Sequence, residues 1–459
     1  MTRRRPDWKL FALVALALGL GLRLWFISHS ASIEGDTLLY GDIAKNWMTR
    51  GVYGFAASGA PTLIRLPGYP LFLAACFRMF GMEHYTAVMY VQCVIDLVTC
   101  VLVSALAGRL FGRRAVLAVL WLAALCPFTA NYVAAPLTET PTLATIALAF
   151  YGLERWRAAG LGWNRWLWIA SAAMAYSLLL RPEQGLLAAS IVPAMLWMAW
   201  RDGKRAMTPV MAAAVCVFLP LVPWTARNWR TFHVFQPLAP KSAADPGEFV
   251  PEGFYRWYRT WAIDFISTDE VYWNYNASAV EIGDLPTRAF DNDEQYARTD
   301  ALLTEYNKTY GSDPKFDAEF EKLAEERIAA DPLRYYVALP VARVVDMVLR
   351  PRTGLLPVSL DWWHWRKHPG ESAFSIAFAG LNLAYLAIGG LGLWLWRRRS
   401  WGGNPALAWA MMGFVLLRLA LLLTMDNSEP RYTLEFFPCL LVWAGAVFSS
   451  RKAESSLPG

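Results

Sequence analysis

Ten long and nearly uncharged apolar stretches constrain this 459-residue chain more than any other feature. They centre on Leu10–Ile27, Ala87–Leu106, Ala115–Tyr132, Leu137–Trp156, Trp166–Leu180, Gly185–Trp200, Met207–Trp224, Ile376–Trp396, Ala406–Leu423 and Leu434–Phe448. A helix crosses a bilayer with about 20 mostly apolar residues, and about 17 suffice. Charged residues make up 17% of the chain, against about 25% in a soluble domain. A cytosolic enzyme, a disordered scaffold and a small disulfide-stapled domain are thereby excluded. The six cysteines form no CxxC pair and mostly sit in apolar runs, so they read as buried thiols.

Lys and Arg in the short connections set the orientation. Arg3-Arg4-Arg5, Arg109/Arg113/Arg114, Arg155/Arg157/Arg165, Arg201/Lys204/Arg205, Arg397-Arg398-Arg399 and Arg451/Lys452 fall on alternate connections. These belong to the cytoplasmic side, with both termini inside. Basic, apolar and small residues in order give Leu10–Ile27 some signal-peptide character. Its length and Arg23 favour an uncleaved first span.

Two polar insertions then face outward. The first, from about Ser28 to Thr86, carries a helical pattern after Asp36 and a short apolar run, Leu71–Phe80, expected along the interface. The second, about Thr225 to Phe374, is acidic and rich in Tyr and Trp. Twelve Lys/Arg face twenty Asp/Glu between Thr225 and Tyr335, although the whole chain is +6. That asymmetry suits charge sorting across a bilayer, not nucleic-acid binding. Its tail, Leu333–Arg350, reads as an amphipathic surface helix. The expected fold is therefore all-α and polytopic, with about ten transmembrane helices, periplasmic interfacial helices and one larger, mixed periplasmic insert beyond Trp224. Along the chain this divides into a transmembrane catalytic core with its first loop (1–230), the insert with its interfacial helix (231–373) and the C-terminal transmembrane helices (374–459).

Charged residues gather at the outer ends of odd-numbered spans. Asp36 follows the first, Glu139 the third, Arg181-Pro182-Glu183 the fifth, Arg227-Asn228 the seventh, and Glu429-Pro430-Arg431-Tyr432 the ninth. Five chain segments thus deliver acid, base and hydrogen-bonding groups to one membrane face. A carboxylate there can take a proton from an attacking hydroxyl. The planar fork of arginine suits phosphate oxygens and the charge that grows on a departing phosphate. Group transfer from a lipid-anchored donor fits that chemistry.

Residues Gly35–Asn46 with Arg65-Leu66-Pro67-Gly68-Tyr69-Pro70 resemble the first outer loop of GT-C glycosyltransferases. The similar branch includes bacterial relatives of protein O-mannosyltransferases and the lipid A aminoarabinose transferase. Leu137–Pro141, Pro223–Asn228 and Glu429–Tyr432 are similar to that branch in the same order. The resemblance implies a polyprenyl-phosphate sugar donor, an inverting transfer with Asp36 as base, and an active site facing the periplasm from the inner membrane. It places Glu139 at a second acidic position. Leu66, where the aminoarabinose branch has Lys, points to another donor head group or to phosphate contact through Arg65. Thr37 after Asp36 departs from the acidic residue of relatives and weakens a metal site.

The expected catalytic residues are Asp36 and Glu139, and the expected substrate contacts are Arg65, Tyr69, Arg181, Arg227, Asn228, Glu429, Arg431 and Tyr432. No metal ligand is assigned; carboxylates can bind Mg²⁺ or Mn²⁺, and arginines can supply the same charge. The acceptor is a hydroxyl of a cell-envelope lipid, polysaccharide or protein. Bland alternatives accompany several residues: Asp36 as a helix N-cap, Asp42 with Lys45 as a surface pair, Arg181 with Glu183 as a mutual pair, and Arg227 and Arg431 as head-group anchors. His364 and His368 read as solvated. Asp96 and Arg418 lie inside spans and are expected to be neutralised by each other or by other polar groups. A transporter or flippase of a lipid-linked sugar would need a polar path through the membrane, and an assembly protein would dock through the acidic insert.

Overall fold

The computed structural model describes residues 8–201, 206–311 and 313–449. Arg3-Arg4-Arg5, Lys204/Arg205 and Arg451/Lys452, used above for orientation, lie outside the described residues. Regular structure among those described is helical, apart from one isolated antiparallel bridge between Gly54 and Pro61. The helices run in order: α1 (Trp8–His29), α2 (Asp36–Arg50), α3 (Gly68–Phe80), α4 (Tyr85–Phe111), α5 (Arg113–Ala124), α6 (Glu139–Ala158) and α7 (Arg165–Leu180). Next come α8 (Gly185–Arg201), α9 (Met207–Phe218), α10 (Leu221–Phe232), α11 (Glu252–Arg259), α12 (Asp293–Tyr306) and α13 (Pro314–Ala330). The last are α14 (Leu339–Leu349), α15 (Pro369–Arg398), α16 (Pro405–Leu422) and α17 (Phe437–Ala444), with shorter turns between them. The chain is an all-α, multi-pass membrane protein.

Helix length alone delivers fewer than ten crossings. Among the described residues, five stretches are long and apolar enough: α1, α4, Met207–Phe232 (α9 with α10), α15 and α16. A sixth joins α5 to Pro127–Ala134 across a 49° bend, where Pro127 lacks the N–H needed to continue α5. The other expected spans are α7 with 16 residues, α8 with 17, and α6, whose 20 residues include Glu139, Glu154, Arg155 and Arg157. Leu434–Phe448 resolves into the eight-residue α17 between two 3₁₀ turns.

Two compact units form. The first comprises Met1–Pro246, Ala384–Leu416 and Leu434–Gly459. Within it α6 packs on α7, and α4 packs on α5 and α6. Asp96 of α4 is neutralised by Arg23 of α1, not by Arg418. Arg23 donates Nε to Asp96 Oδ2 at 2.7 Å and Nη1 to the Ala124 carbonyl at 2.6 Å, and both side chains are buried. An ion pair in hydrocarbon is costly unless fully satisfied; here one guanidinium ties α1, α4 and the end of α5 together. Gly68 begins α3 where a side chain has no room, because the backbone of Leu179 lies 2.5 Å from where its Cβ would sit. The cysteines are free, as expected, and all but Cys216 are buried.

The second unit comprises Gly247–Leu383 and Leu417–Thr433. The mixed insert expected here is helical. Phe254, Trp257, Tyr258 and Trp261 around α11 form its core with Tyr275, Tyr306 and Phe320. Buried Arg327 is spent internally on Thr260, Gln295 and the Arg288 carbonyl at 2.8–3.0 Å. The tail is amphipathic as expected. Leu333, Tyr336, Val337, Val341, Val345 and Leu349 form an exposed row, while Arg343 and Arg350 are buried. Arg418 donates to the Tyr432 carbonyl at 3.0 Å.

Candidate active site

Sequence dictates how the first loop presents its acid. Gly35 adopts φ +51°, a left-handed value, and occupies the N-cap of α2; Asp36 is the first helical residue. The capping role weighed for Asp36 therefore falls to Gly35. Asp36 instead accepts a hydrogen bond from Arg65 Nη2 at 2.9 Å, in an ion pair whose side chains remain 31% and 22% exposed. Arg65 is held by its own backbone: Tyr53 Oη donates to its carbonyl at 3.0 Å. Its guanidinium stands 5.7 Å from the Tyr40 ring.

Tyr40 links the two expected acids. Burial pushes its phenol up to about 12, Arg65 pulls it back, Asp36 pushes it up, and Arg181 and Glu139 act in the same two senses. Asp36, Arg65, Glu139 and Arg181 therefore share one electrostatic neighbourhood around one buried ring. Behind it, the Tyr40 and Tyr69 rings meet edge-on at 5.1 Å. Tyr69 Oη donates to Gln92 Oε1 at 2.8 Å, and Gln92 Nε2 donates to the Ala135 carbonyl at 2.9 Å. This chain braces α2, α3 and α4 against the segment leading to Glu139, and it places Tyr69 as a fully buried support.

Glu139 opens α6 and is 3% exposed. Arg181, which ends α7, faces it with Nη1 at 3.5 Å from Oε1. The same Nη1 lies 3.4 Å from Glu435 Oε1, while Nε pairs with Glu183 Oε1 at 3.0 Å. Gln184 Nε2 donates to Glu435 Oε2, and Ser177 Oγ donates to Gln184 Oε1 at 3.3 Å. Arg181 and Glu183 do pair, as weighed above, but as part of a cluster of three carboxylates around one guanidinium. At the far end of α6, buried Glu154 receives Arg109 at 3.6 Å and Arg157 at 2.9 Å. Fifteen residues at about 1.5 Å each put some 22 Å between the helix's two buried acids. The acid cluster at Glu139 and the basic connections thus occupy opposite ends of α6.

Other expected residues go elsewhere. Arg227 donates Nη1 to the Thr62 carbonyl at 2.7 Å and Nη2 to the Tyr53 carbonyl at 2.8 Å. It also stacks among Tyr53, Trp224 and Phe232. It tethers the first loop to α10. Asn228 is buried and donates to the Gln236 carbonyl at 2.8 Å, closing the turn after that helix. In the second unit, Glu429 accepts from Arg431 Nη2 at 3.3 Å and from Tyr432 Oη at 2.9 Å. Asn427 Nδ2 contacts both Glu429 and Tyr432, at 3.4 and 3.3 Å. These three expected residues contact one another within the second unit. Asp42 accepts from the Ala56 amide at 2.8 Å and Lys45 pairs with Glu83 at 2.7 Å, so the expected Asp42–Lys45 pair is replaced by two others.

Among the described residues, no group of three or more His, Cys, Asp or Glu is arranged to hold a metal ion. Glu139, Glu183 and Glu435 converge on a guanidinium instead, so that donor set does not fit a cation. Sequence reasoning missed Tyr40, Gln184 and Glu435. Tyr40 sat inside the segment carrying the resemblance, and Glu435 follows Tyr432 by three residues; both looked like ordinary helix residues.

Residues 61–225 match the family model described as dolichyl-phosphate-mannose-protein mannosyltransferase. That stretch holds Arg65, Tyr69, Glu139 and Arg181 and begins after Asp36. Among solved structures, ArnT from Cupriavidus metallidurans in the apo state is similar at 14% identity and TM-score 0.38, over 95% of this chain and 77% of that one. The same protein bound to undecaprenyl phosphate gives 14% and 0.36 over the same shares. The archaeal oligosaccharyltransferase AglB from Archaeoglobus fulgidus, in complex with an inhibitory peptide and a dolichol-phosphate, gives 11% and 0.46, over 96% of this chain and 50% of that one. No curated protein matches. The family match supports the enzyme class that the resemblance implied, a membrane glycosyltransferase of the GT-C type.

Proposed function

We propose that the chain moves a sugar from a polyprenyl-phosphate donor to a hydroxyl acceptor in a single inverting displacement, at the periplasmic face of the inner membrane. The observation that carries this reading is the half-open Asp36–Arg65 ion pair beside Tyr40, whose other charged neighbours are Glu139 and Arg181. Asp36 takes the proton of the acceptor hydroxyl as its oxygen bonds to the anomeric carbon. The bond from that carbon to the phosphate oxygen breaks, and its electron pair leaves on the lipid phosphate. Arg65, the more exposed of the two site arginines, meets the charge growing on that phosphate. Glu139, buried against Arg181, orients the reacting sugar or acceptor.

The lipid tail stays in the bilayer, which accounts for a site at the end of membrane helices. Acceptors of the proposed class are envelope lipids, polysaccharides or proteins that offer a hydroxyl.

Replacing Asp36 by Asn tests the mechanism. Transfer of labelled sugar from a polyprenyl-phosphate donor is expected to fall by about 10²–10⁴-fold, with binding of the lipid phosphate retained. An Asn variant that transfers at the wild-type rate removes Asp36 as the base.

A further inference from the structure

We propose that Tyr53 is a positioning residue whose hydroxyl fixes Arg65 for the donor phosphate; this rests on the transfer reading above and deepens it. Tyr53 Oη donates to the Arg65 carbonyl at 3.0 Å. The Tyr53 side chain is only 6% exposed, so it acts through Arg65 and not on a ligand directly. Its backbone carbonyl grips the same loop three residues earlier, accepting from the Thr62 amide at 3.0 Å. One residue thus holds the segment that carries Arg65 at two points. That support matters because residues 62–67, between the Gly54–Pro61 bridge and α3, belong to no helix or sheet. A misplacement of about 1 Å in a reacting site can cost about 10²-fold.

The Tyr53 ring is itself confined. Trp47 and Trp224 meet it edge-on at 5.3 and 5.1 Å, and the Arg227 guanidinium stands 5.3 Å from its centroid. A ring held by three such contacts keeps its hydroxyl aimed in one direction. Burial pushes the phenol well above its ordinary range; Tyr40 adds to this, while Arg227 and Arg65 oppose it. At neutral pH the group is therefore uncharged and a hydrogen-bond donor.

Tyr53→Phe keeps the ring among its neighbours and removes the donor. The fold is expected to survive, because other contacts still tie the loop down. The Thr62 amide keeps its partner, Arg227 holds the Thr62 carbonyl, and Asp245 Oδ1 accepts from the Leu63 amide at 2.8 Å. Binding of a polyprenyl phosphate to the full-length protein in nanodiscs is expected to weaken about tenfold, with the melting temperature little changed. In an Arg65→Lys background the same substitution is expected to add less than about twofold, because its effect runs through Arg65. p-Aminophenylalanine at position 53 restores an N–H donor and is expected to recover binding. 4-Fluorophenylalanine there fills the space of the hydroxyl without donating, and serves if the Phe variant does not fold. Wild-type affinity in the variant that lacks the donor overturns the proposal. So does an equal loss in the Arg65→Lys background, or a loss that the amino group does not recover. Binding needs no turnover, so a wild-type protein that binds the lipid phosphate yet transfers no sugar tells against the transfer reading alone.

Discussion

Asp36 and Arg65 hold each other 2.9 Å apart with both side chains still reachable from solvent, and that openness separates their substitutions from those of their neighbours. Arg65→Lys keeps the charge and loses the planar fork that suits phosphate. It is expected to raise KM for the polyprenyl-phosphate donor about tenfold, roughly 1.4 kcal/mol, with kcat less affected; initial-rate kinetics separate the two. Arg227→Lys behaves differently, because Arg227 spends its donors on the Thr62 and Tyr53 carbonyls. It is expected to cost about 1–2 kcal/mol of stability, lowering the melting temperature and leaving donor affinity unchanged. From sequence, Arg65 and Arg227 looked alike: each sits in an outer segment and was expected to contact substrate. Backbone carbonyls leave no mark in a sequence, so a tethering arginine and an open one read identically. Asp36 was legible because a glycine, an acid and a helical pattern follow one another directly after a span. Glu435 was not, since its partner Arg181 lies 254 residues away.

Elements show the same division between what pattern reveals and what packing decides. The interfacial run after Pro67 appears as α3, and the pattern after Asp36 as α2, because apolar spacing carries both. Arg23 looked like an interruption of the first span, yet it is the partner that Asp96 requires. Asp96→Ala leaves Arg23 buried without its counter-charge, a loss of about 3–5 kcal/mol. It should appear as poor recovery of the monodisperse protein in gel filtration after mild heating. The tail helix α14 holds a partly buried acid. Burial pushes the Asp346 carboxyl up to about 6 against the pull of Arg350, and Ser428 Oγ donates to it at 3.1 Å. An unfolded Asp titrates near 3.9, so between about pH 4 and 6 the folded chain binds the extra proton. Stability contributed by this group is present at low pH and is lost as pH rises through about 6. Unfolding followed by tryptophan fluorescence is expected to show that decline, and Asp346→Asn to flatten it. An unchanged slope in the variant contradicts the assignment.

At the scale of the molecule, the membrane class followed from apolar runs and low charge, and the helical fold agrees. The number of crossings was harder to read, because Glu139 and Glu154 make α6 too polar for a simple apolar run while its packing partners bury it. A flippase would need charges lining a route through the bilayer, but Asp96 is locked in an interhelical ion pair. The charges that gather in the first unit sit instead at helix ends, around Tyr40 and Arg181. The most direct test of a base-assisted single displacement is the configuration of the sugar before and after transfer. A polyprenyl-phosphate donor of known anomeric configuration is incubated with the purified protein and a hydroxyl acceptor, and the new glycosidic bond is read by NMR. Inversion, with Asp36→Asn yielding no product, is expected; a retained configuration, or donor carried across the bilayer with its sugar still attached, contradicts the mechanism.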